Sequence, residues 1–278
     1  MHDTVNITIL VNNTSDERLI AEHGLAFWIE IRGSRILMDT GQGKTLEHNA
    51  ALLGVNLADA GALVLSHGHY DHSGGISHVL KITPHIDIYC HPDAVASRYR
   101  IKSADEVKEI AMPRDSKASL DALSSDQLHW VTKPKLIAPG VGITGPIARK
   151  SEFEDTGGPF FLDSDGRRAD PIDDDQALWI RTPRGLIIVV GCSHAGLTNT
   201  IGAIREISGE KSVIALIGGF HLQDASEDRL SKTTAVLQDF GIETIIPCHC
   251  TGERAITLFQ AVLGGRVIPG LAGMKISV

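Results

Sequence analysis

The chain has 278 residues, 42% of them hydrophobic and 22% charged, and a formal net charge of -8. That length suits one large domain or two small ones and can bury a sizeable core. The acidic balance argues against a nucleic-acid surface, which needs clustered Lys and Arg, and no apolar run reaches the roughly 18 residues of a membrane span. The opening Met1-His2-Asp3-Thr4-Val5 lacks the basic and apolar regions of a secretory signal, so the cytoplasm is the expected compartment. Thirteen His are in keeping with a metal site, and four Cys do not make a disulfide framework.

Residues 5–11 alternate like a strand, and Asn12 to Glu17 is a polar turn. Glu22-His23-Gly24 leads into a second strand over 25–31, Gly33-Ser34 turns the chain, and 35–38 make a third strand ended by Asp39. Residues 46–53 suggest a short helix stopping at Gly54. Ala62-Leu63-Val64-Leu65 reads as a buried strand. It delivers Ser66-His67-Gly68-His69-Tyr70-Asp71-His72-Ser73-Gly74-Gly75, with three His and one Asp inside six positions.

Neutral imidazoles and a carboxylate suit zinc and other divalent first-row metals. Side chains two apart in a turn can converge, so His67 and His69 are read as ligands of one metal, and Asp71 and His72 of a second. Gly68, Gly74 and Gly75 let the backbone bend around them. Tyr70, between ligands, is expected to point away. A helix should start at Ile76, and 86–90 read as another strand.

Residues 92–176 differ: apolar periodicity weakens and Pro113, Pro134, Pro139, Pro146 and Pro159 punctuate the stretch. Arg98-Tyr99-Arg100 and Arg149-Lys150 add local positive charge, and Asp173-Asp174-Asp175 reads as a solvated acidic turn. Regularity then returns. Residues 186–190 form a buried strand before Gly191-Cys192-Ser193-His194. Thr198 or Asn199 is the candidate cap of a helix carrying Ile201, Ile204 and Ile207. Residues 213–217 form the next strand, before Gly218-Gly219-Phe220-His221. Ser226, Glu227 and Asp228 open a helix striped by Leu230, Thr233, Leu237 and Phe240. Residues 242–246 form a strand before Pro247-Cys248-His249-Cys250. Three strands in succession thus deliver a His at their C-terminal ends, where α/β folds build sites.

His67-x-His69-x-Asp71-His72 after an apolar strand resembles the signature of the metallo-β-lactamase superfamily. With Glu22-His23-Gly24, Leu37 to Gly41, Gly191 to His194, Gly218 to His221 and Pro247 to Gly252, the chain is most similar to the branch of dihydropterin–ribofuranosylaminobenzene-phosphate synthase-like proteins. The resemblance spans most of the chain. It implies an α/β fold, a four-layer αββα sandwich over residues 1–278 as a single domain, with an insertion at about 92–176 contributing pocket walls or edge strands. It implies two divalent metal ions, zinc first, with manganese or iron as alternatives. His194 would complete the first metal, and His249, at the place of the last superfamily His, the second. An Asp at the place of Asp39 sits behind the metals and orients the ligand loop; a simple turn cap is the other reading.

His221 is a candidate proton donor to a leaving group or a substrate contact, and Glu22 and His23 are candidate substrate contacts. Many members carry a metal-bridging Asp where this chain reads Val190-Gly191-Cys192; Cys192 is expected to be buried without a metal bond, although some metallo-β-lactamases use a Cys ligand in that motif. The function expected is a metal-dependent hydrolase: two cations lower the pKa of a shared water to about 7, and the metal-bound hydroxide attacks a phosphorus or carbonyl centre. Asp71 holds the second metal and orients that hydroxide. The substrate is a small, anionic, phosphorylated or ester-containing metabolite, by resemblance a pterin or ribofuranosyl-phosphate compound. The alternatives are a redox di-iron protein on the same scaffold, disfavoured by His69 where oxygen-reducing members have Glu, and a non-catalytic metabolite-binding protein. No nucleic-acid or membrane partner is expected, and the sequence leaves the oligomeric state open.

Overall fold

β-branched and aromatic alternation sets the strands of the first part of the chain. In the computed structural model, which describes residues 4–278, these are β1 (Asn6–Val11), β2 (Ala26–Ile31) and β3 (Ser34–Met38). Then come α1 (Leu46–Leu52), β4 (Ala62–Val64), α2 (Tyr70–Ser73), α3 (Ile76–Ile82) and β5 (Asp87–Cys90). The middle stretch holds β6 (Tyr99–Ser103), β7 (Glu106–Glu109), α4 (Arg114–Asp121), β8 (Leu128–Trp130), β9 (Lys135–Ala138), β10 (Val141–Ile143) and β11 (Phe160–Phe161). The last part holds β12 (Ala177–Thr182), β13 (Gly185–Val190), α5 (Leu197–Ser208), β14 (Val213–Gly219), α6 (Glu227–Asp239), β15 (Thr244–Cys248), α7 (Glu253–Leu263) and β16 (Lys275–Ser277). Met1, His2 and Asp3, over which the signal-peptide reading partly ran, lie outside the described residues. Among those residues no helix is long and apolar enough to cross a membrane.

The chain divides into two compact units. One combines the chain up to Val131 with Pro159–Asp174 and Leu271–Val278. Its seven-stranded sheet has the order β16-β1-β2-β3-β4-β5-β8. The β1–β3 meander is antiparallel, and β3, β4, β5 and β8 run parallel. Parallel neighbours need crossovers, which α1 and α3 supply; they bury Leu46, Ala50, Ile76 and Val79 in the same apolar cluster as Leu37, Leu63 and Ile88. A separate three-stranded sheet, β11-β6-β7, belongs to this unit. Phe160 on β11 packs with Ile110, Ile172 and Tyr70 in a small cluster of its own.

The other unit combines Thr132–Gly158 with Asp175–Gly270. Its six-stranded sheet has the order β15-β14-β13-β12-β10-β9. The pairs β13·β14 and β14·β15 are parallel, and the register aligns Val190 with Gly218 and Gly218 with Pro247. The three strands therefore end side by side, and so do the motifs that follow them.

Two expectations for α5 are corrected. Its N-cap is Gly196, not Thr198 or Asn199; the amides of those two residues donate instead to Glu154, at 2.8 and 3.2 Å. Ile207 is not on the buried stripe but is 37% exposed. At 3.6 residues per turn a second step of three leaves the face, so Ser208 is buried in its place. Ser226 does cap α6, accepting from the Arg229 amide at 3.2 Å. The acidic turn is corrected as well: Asp173 is exposed, but Asp174 and Asp175 are buried.

Candidate metal centre

In the first unit the motif begins at Ser66, two residues past β4, and is fixed from behind by Asp39. Asp39 follows β3 directly, is wholly buried, and has a φ of 61°. Its Oδ1 accepts from the Ser66 amide and its Oδ2 from the Ser66 hydroxyl, both at 2.7 Å. The same Oδ2 takes the Nδ1–H of His72 at 2.7 Å. Asp39 is therefore an orienting residue, not a plain turn cap.

These bonds assign the imidazole tautomers. A Ser hydroxyl has one proton. Ser66 gives it to Asp39, so at 2.9 Å it accepts from Nδ1–H of His67. The lone pair of His67 then lies on Nε2, and that of His72 on Nε2 by the same reasoning. His67 Nε2 stands 2.9 Å from His69 Nδ1. His67 and His72 rings lie 4.3 Å apart between centroids. Two buried imidazole nitrogens presented side by side, each ring tied at its far side or packed against a neighbour such as Phe160, are the donor chemistry of a divalent transition metal. The residues present fit such an ion.

Asp71 and His23 meet at 3.0 Å, Nε2 to Oδ2. Glu22 Oε1 accepts from the Gln42 amide at 2.9 Å. Burial raises the Glu22 carboxyl above its ordinary value, against the pull of that amide. The Tyr70 hydroxyl takes Lys108 Nζ at 2.7 Å.

Sequence reasoning missed what holds the Gly68 turn. A Cβ at Gly68 would come 1.9 Å from the Ala94 carbonyl oxygen, so only Gly fits there. The Gly68 amide donates to Asp174 Oδ2 at 2.7 Å. Asp174 Oδ1 takes Arg98 at 2.6 Å, and Asp170 lies 3.2 Å from the same guanidinium. Arg98 is 1% exposed, so it is no local surface charge. Burial works against its cation, but Asp174 and Asp170 outweigh that and push its pKa up.

In the second unit the strand-end motifs converge. Cys192 Sγ lies within 4.8 Å of a ring nitrogen of His194, of His221 and of His249, and of Cys250 Sγ. The two sulfurs are 3.2 Å apart. Cys192 is buried, as expected, at 2% exposure. His194 Nδ1–H donates to the Thr156 carbonyl at 2.7 Å, which puts its lone pair on Nε2. His221 and His194 rings are 4.3 Å apart. Residues 154–157 flank these rings: a Cβ at Gly157 would come 2.1 Å from His221 Cδ2. Buried Arg229 holds this segment through Asp155, whose Oδ1 also accepts from the Gly157 amide. No periodic signal marked it; the Gly157-Gly158 pair was its trace in the sequence.

Ser193, His221 and His249 all have positive φ, 55°, 45° and 49°. Residues with a Cβ rarely adopt it, and such strain gathers at functional sites. Burial opposes ionisation of Cys250, but the sulfur contact with Cys192 and the His221 and His249 rings hold its thiol well below the ordinary range. Cys248 is pushed far up by burial.

The sequence profile of the metallo-β-lactamase superfamily matches residues 20–197. The chain belongs to this superfamily. It is 34% identical over 252 residues to the 7,8-dihydropterin-6-methyl-4-(β-D-ribofuranosyl)-aminobenzene-5'-phosphate synthase of Methanocaldococcus jannaschii, covering 86% of this chain and 84% of that one. An uncharacterised protein of the same organism is 33% identical over 262 residues, 90% of this chain and 92% of the other. Among solved structures, Tm1679, a metal-dependent hydrolase of the β-lactamase superfamily, superimposes with a TM-score of 0.84 at 29% identity, covering 99% of both chains. YhfI of Bacillus subtilis, a metallo-β-lactamase fold protein, gives 0.59 at 14% identity over 99% of this chain and 100% of that one; it shares the fold alone. The fold class expected from the motifs, α/β of the metallo-β-lactamase type, is thus shown.

Proposed function

We propose that the protein is a metal-dependent enzyme of the hydrolase type, acting on a small phosphorylated or ester-containing metabolite. The observation that carries this is the pair of buried nitrogens, His67 Nε2 and His69 Nδ1, 2.9 Å apart and preset by the Ser66–Asp39 relay. His67, His69, Asp71, His72, His194 and His249 are the proposed ligands of two divalent ions, zinc first. When bound, the metal supplies a Lewis acid and water of lowered pKa.

The chain's own groups do the rest. Asp39 and Ser66 keep His67 and His72 in one tautomer, so no reorganisation is needed when the site is used. Asp71, in contact with His23 Nε2, is the carboxylate that takes up or passes on a proton. His221 is the proposed proton donor to the leaving group, held in place by Gly157. His23 and Glu22 are the proposed substrate contacts, and the 92–176 stretch the source of pocket walls.

The name of the 34% identical relative supports a second reading, a synthase that joins a pterin-bearing and a ribofuranosyl-phosphate-bearing compound. One assay panel tests both: metal-loaded protein against phosphodiesters, phosphomonoesters, lactones and thioesters, and against a dihydropterin whose 6-methyl carbon carries a diphosphate leaving group together with a ribofuranosyl-aminobenzene phosphate, the new bond forming at that carbon as diphosphate departs. Cleavage products alone support the hydrolase, a coupled product the synthase. No turnover above buffer in any arm rejects both.

A further inference from the structure

We propose that the protein holds a second ligand site, at the end of α5 remote from the His194 turn, for a small molecule that joins a flat apolar ring to an anionic group. The site is independent of the metal-dependent reading above.

The strand register accounts for the cavity. Leu136 on β9 stands opposite Gly142 on β10, and Gly142 opposite Trp179 on β12. Directly paired residues share a sheet face, so the row has no side chain at its middle position. The Trp179 indole fills part of the gap: a Cβ at Gly142 would come 2.4 Å from its Cζ2 and 2.9 Å from its Nε1. Beside it a cavity of about 370 Å³ remains, within the size range of small-molecule sites. Lys135, Leu136, Trp179, Arg181 and Ile207 wall it. Leu136 is 63% exposed, so aliphatic surface stays in water beside an indole.

The polar side chains on these walls are donors only. Lys and Arg carry N–H groups and no acceptor, and indole carries one N–H. Trp179 is 5% exposed, and its Nε1–H is buried without a hydrogen-bond partner. Arg181 gives one N–H to the carbonyl of Ser208, the last residue of α5. Glu210 lies within electrostatic reach of Arg181, but its Oε1 is taken by the Lys211 and Ser212 amides at 2.8 and 2.9 Å. Among the described residues no acid lines the cavity. An occupant must therefore bring the acceptors, and two cations select an anion. Its ring is taken by the indole and the aliphatic walls, since aromatic groups stack well on one another.

The cavity is not the metal centre. Every residue that lines it belongs to the second unit. Helix α5 starts three residues after His194, has 12 residues and carries Ile207 next to its end. Such a helix is about 18 Å long, which sets the cavity roughly that far from the His194 turn.

Titration calorimetry of the metal-loaded protein with naphthoate and with naphthyl phosphate tests the proposal. Naphthylmethanol serves as the uncharged ring and acetate as the anion without a ring. Both naphthyl anions should bind one-to-one with a Kd of about 1 mM or lower, and their two affinities tell which anion the cations prefer. The alcohol and acetate should each bind at least about tenfold more weakly. Lys135→Gln and Arg181→Gln should each weaken the anions by about two- to fivefold and leave the alcohol unchanged. Leu136→Glu, at an exposed position, sets a carboxylate at the cavity and should abolish binding of both anions with metal content unchanged. Naphthoate heat that does not saturate overturns the proposal, and so does equal affinity for naphthoate and the alcohol. Binding that survives Leu136→Glu overturns it as well, and binding lost on adding chelator assigns the anion to the metal centre instead.

Discussion

The backbone amide of Gly68 donates to Asp174 Oδ2 at 2.7 Å, across 106 residues of sequence. Gly68 separates His67 from His69, so the carboxylate that also neutralises buried Arg98 fixes the turn from which these two project. Removing it leaves a buried cation short of a partner, which costs roughly 3–5 kcal/mol. Asp174→Ala should lose that much stability by urea unfolding, and metal affinity should fall by about 10–100-fold. Unchanged affinity in a chelator competition would mean that Asp174 supports the fold and not the site.

His67→Ala, His69→Ala and Asp71→Ala should each be purified with at least one equivalent of metal less than wild type. Tyr70→Phe should keep its full complement, because its hydroxyl is engaged by Lys108. Elemental analysis decides it. If Asp71→Ala matches wild type, the two-metal assignment is wrong.

His221→Ala should retain its metal and lose turnover by about 10²–10⁴-fold, the range of a general acid. Gly157→Ala should act in the same direction by pushing the ring, since its Cβ would fall 2.1 Å from His221 Cδ2. Loss of metal in His221→Ala would move this residue from proton donor to ligand.

Glu154 gives a pH signature. Burial raises its carboxyl above the ordinary 4.5, against the Thr198 and Asn199 amides. The folded protein therefore holds this proton to higher pH than the unfolded chain does. Between about 4.5 and the raised value the folded state binds more protons, so this group lowers stability as pH rises. Glu154→Gln cannot ionise and keeps the bond to Thr198. With chelator present throughout, its urea midpoint should gain on wild type from pH 4.5 to 7. Parallel profiles would refute the assignment.

Metal itself should leave on the acid side. Ligand imidazoles must be neutral, and protonation competes from about pH 6.5 downward. Full occupancy at pH 4.5 in a chelating buffer would count against a His-rich centre.

The sequence carried what local pattern can carry. β13, β14 and β15 were legible as apolar runs, and the His residues after them as strand-end groups, because burial on both faces of a parallel sheet leaves continuous runs of Ile and Val. Asp39 was legible only as one of two alternatives, since its partners Ser66 and His72 lie 27 and 33 residues on. Asp174 was misread because a run of three Asp ordinarily faces water; its partner Arg98 is 76 residues away and looked like surface charge. Ile207 was misplaced by counting in threes along a helix that turns in 3.6. The Cys192–Cys250 contact joins two turns 58 residues apart, and no periodicity announces it.

Asp39, Ser193, His221 and His249 share a left-handed backbone at or just beyond strand ends. That conformation costs a side-chain-bearing residue roughly 1–2 kcal/mol relative to glycine. At these positions selection for folding alone would favour glycine. On the metal-dependent reading, the protein trades stability for chemistry at the turns that carry the proposed donors. A library sorted only for thermal resistance should drift to glycine there first, and the drift itself would map the residues that activity keeps in place.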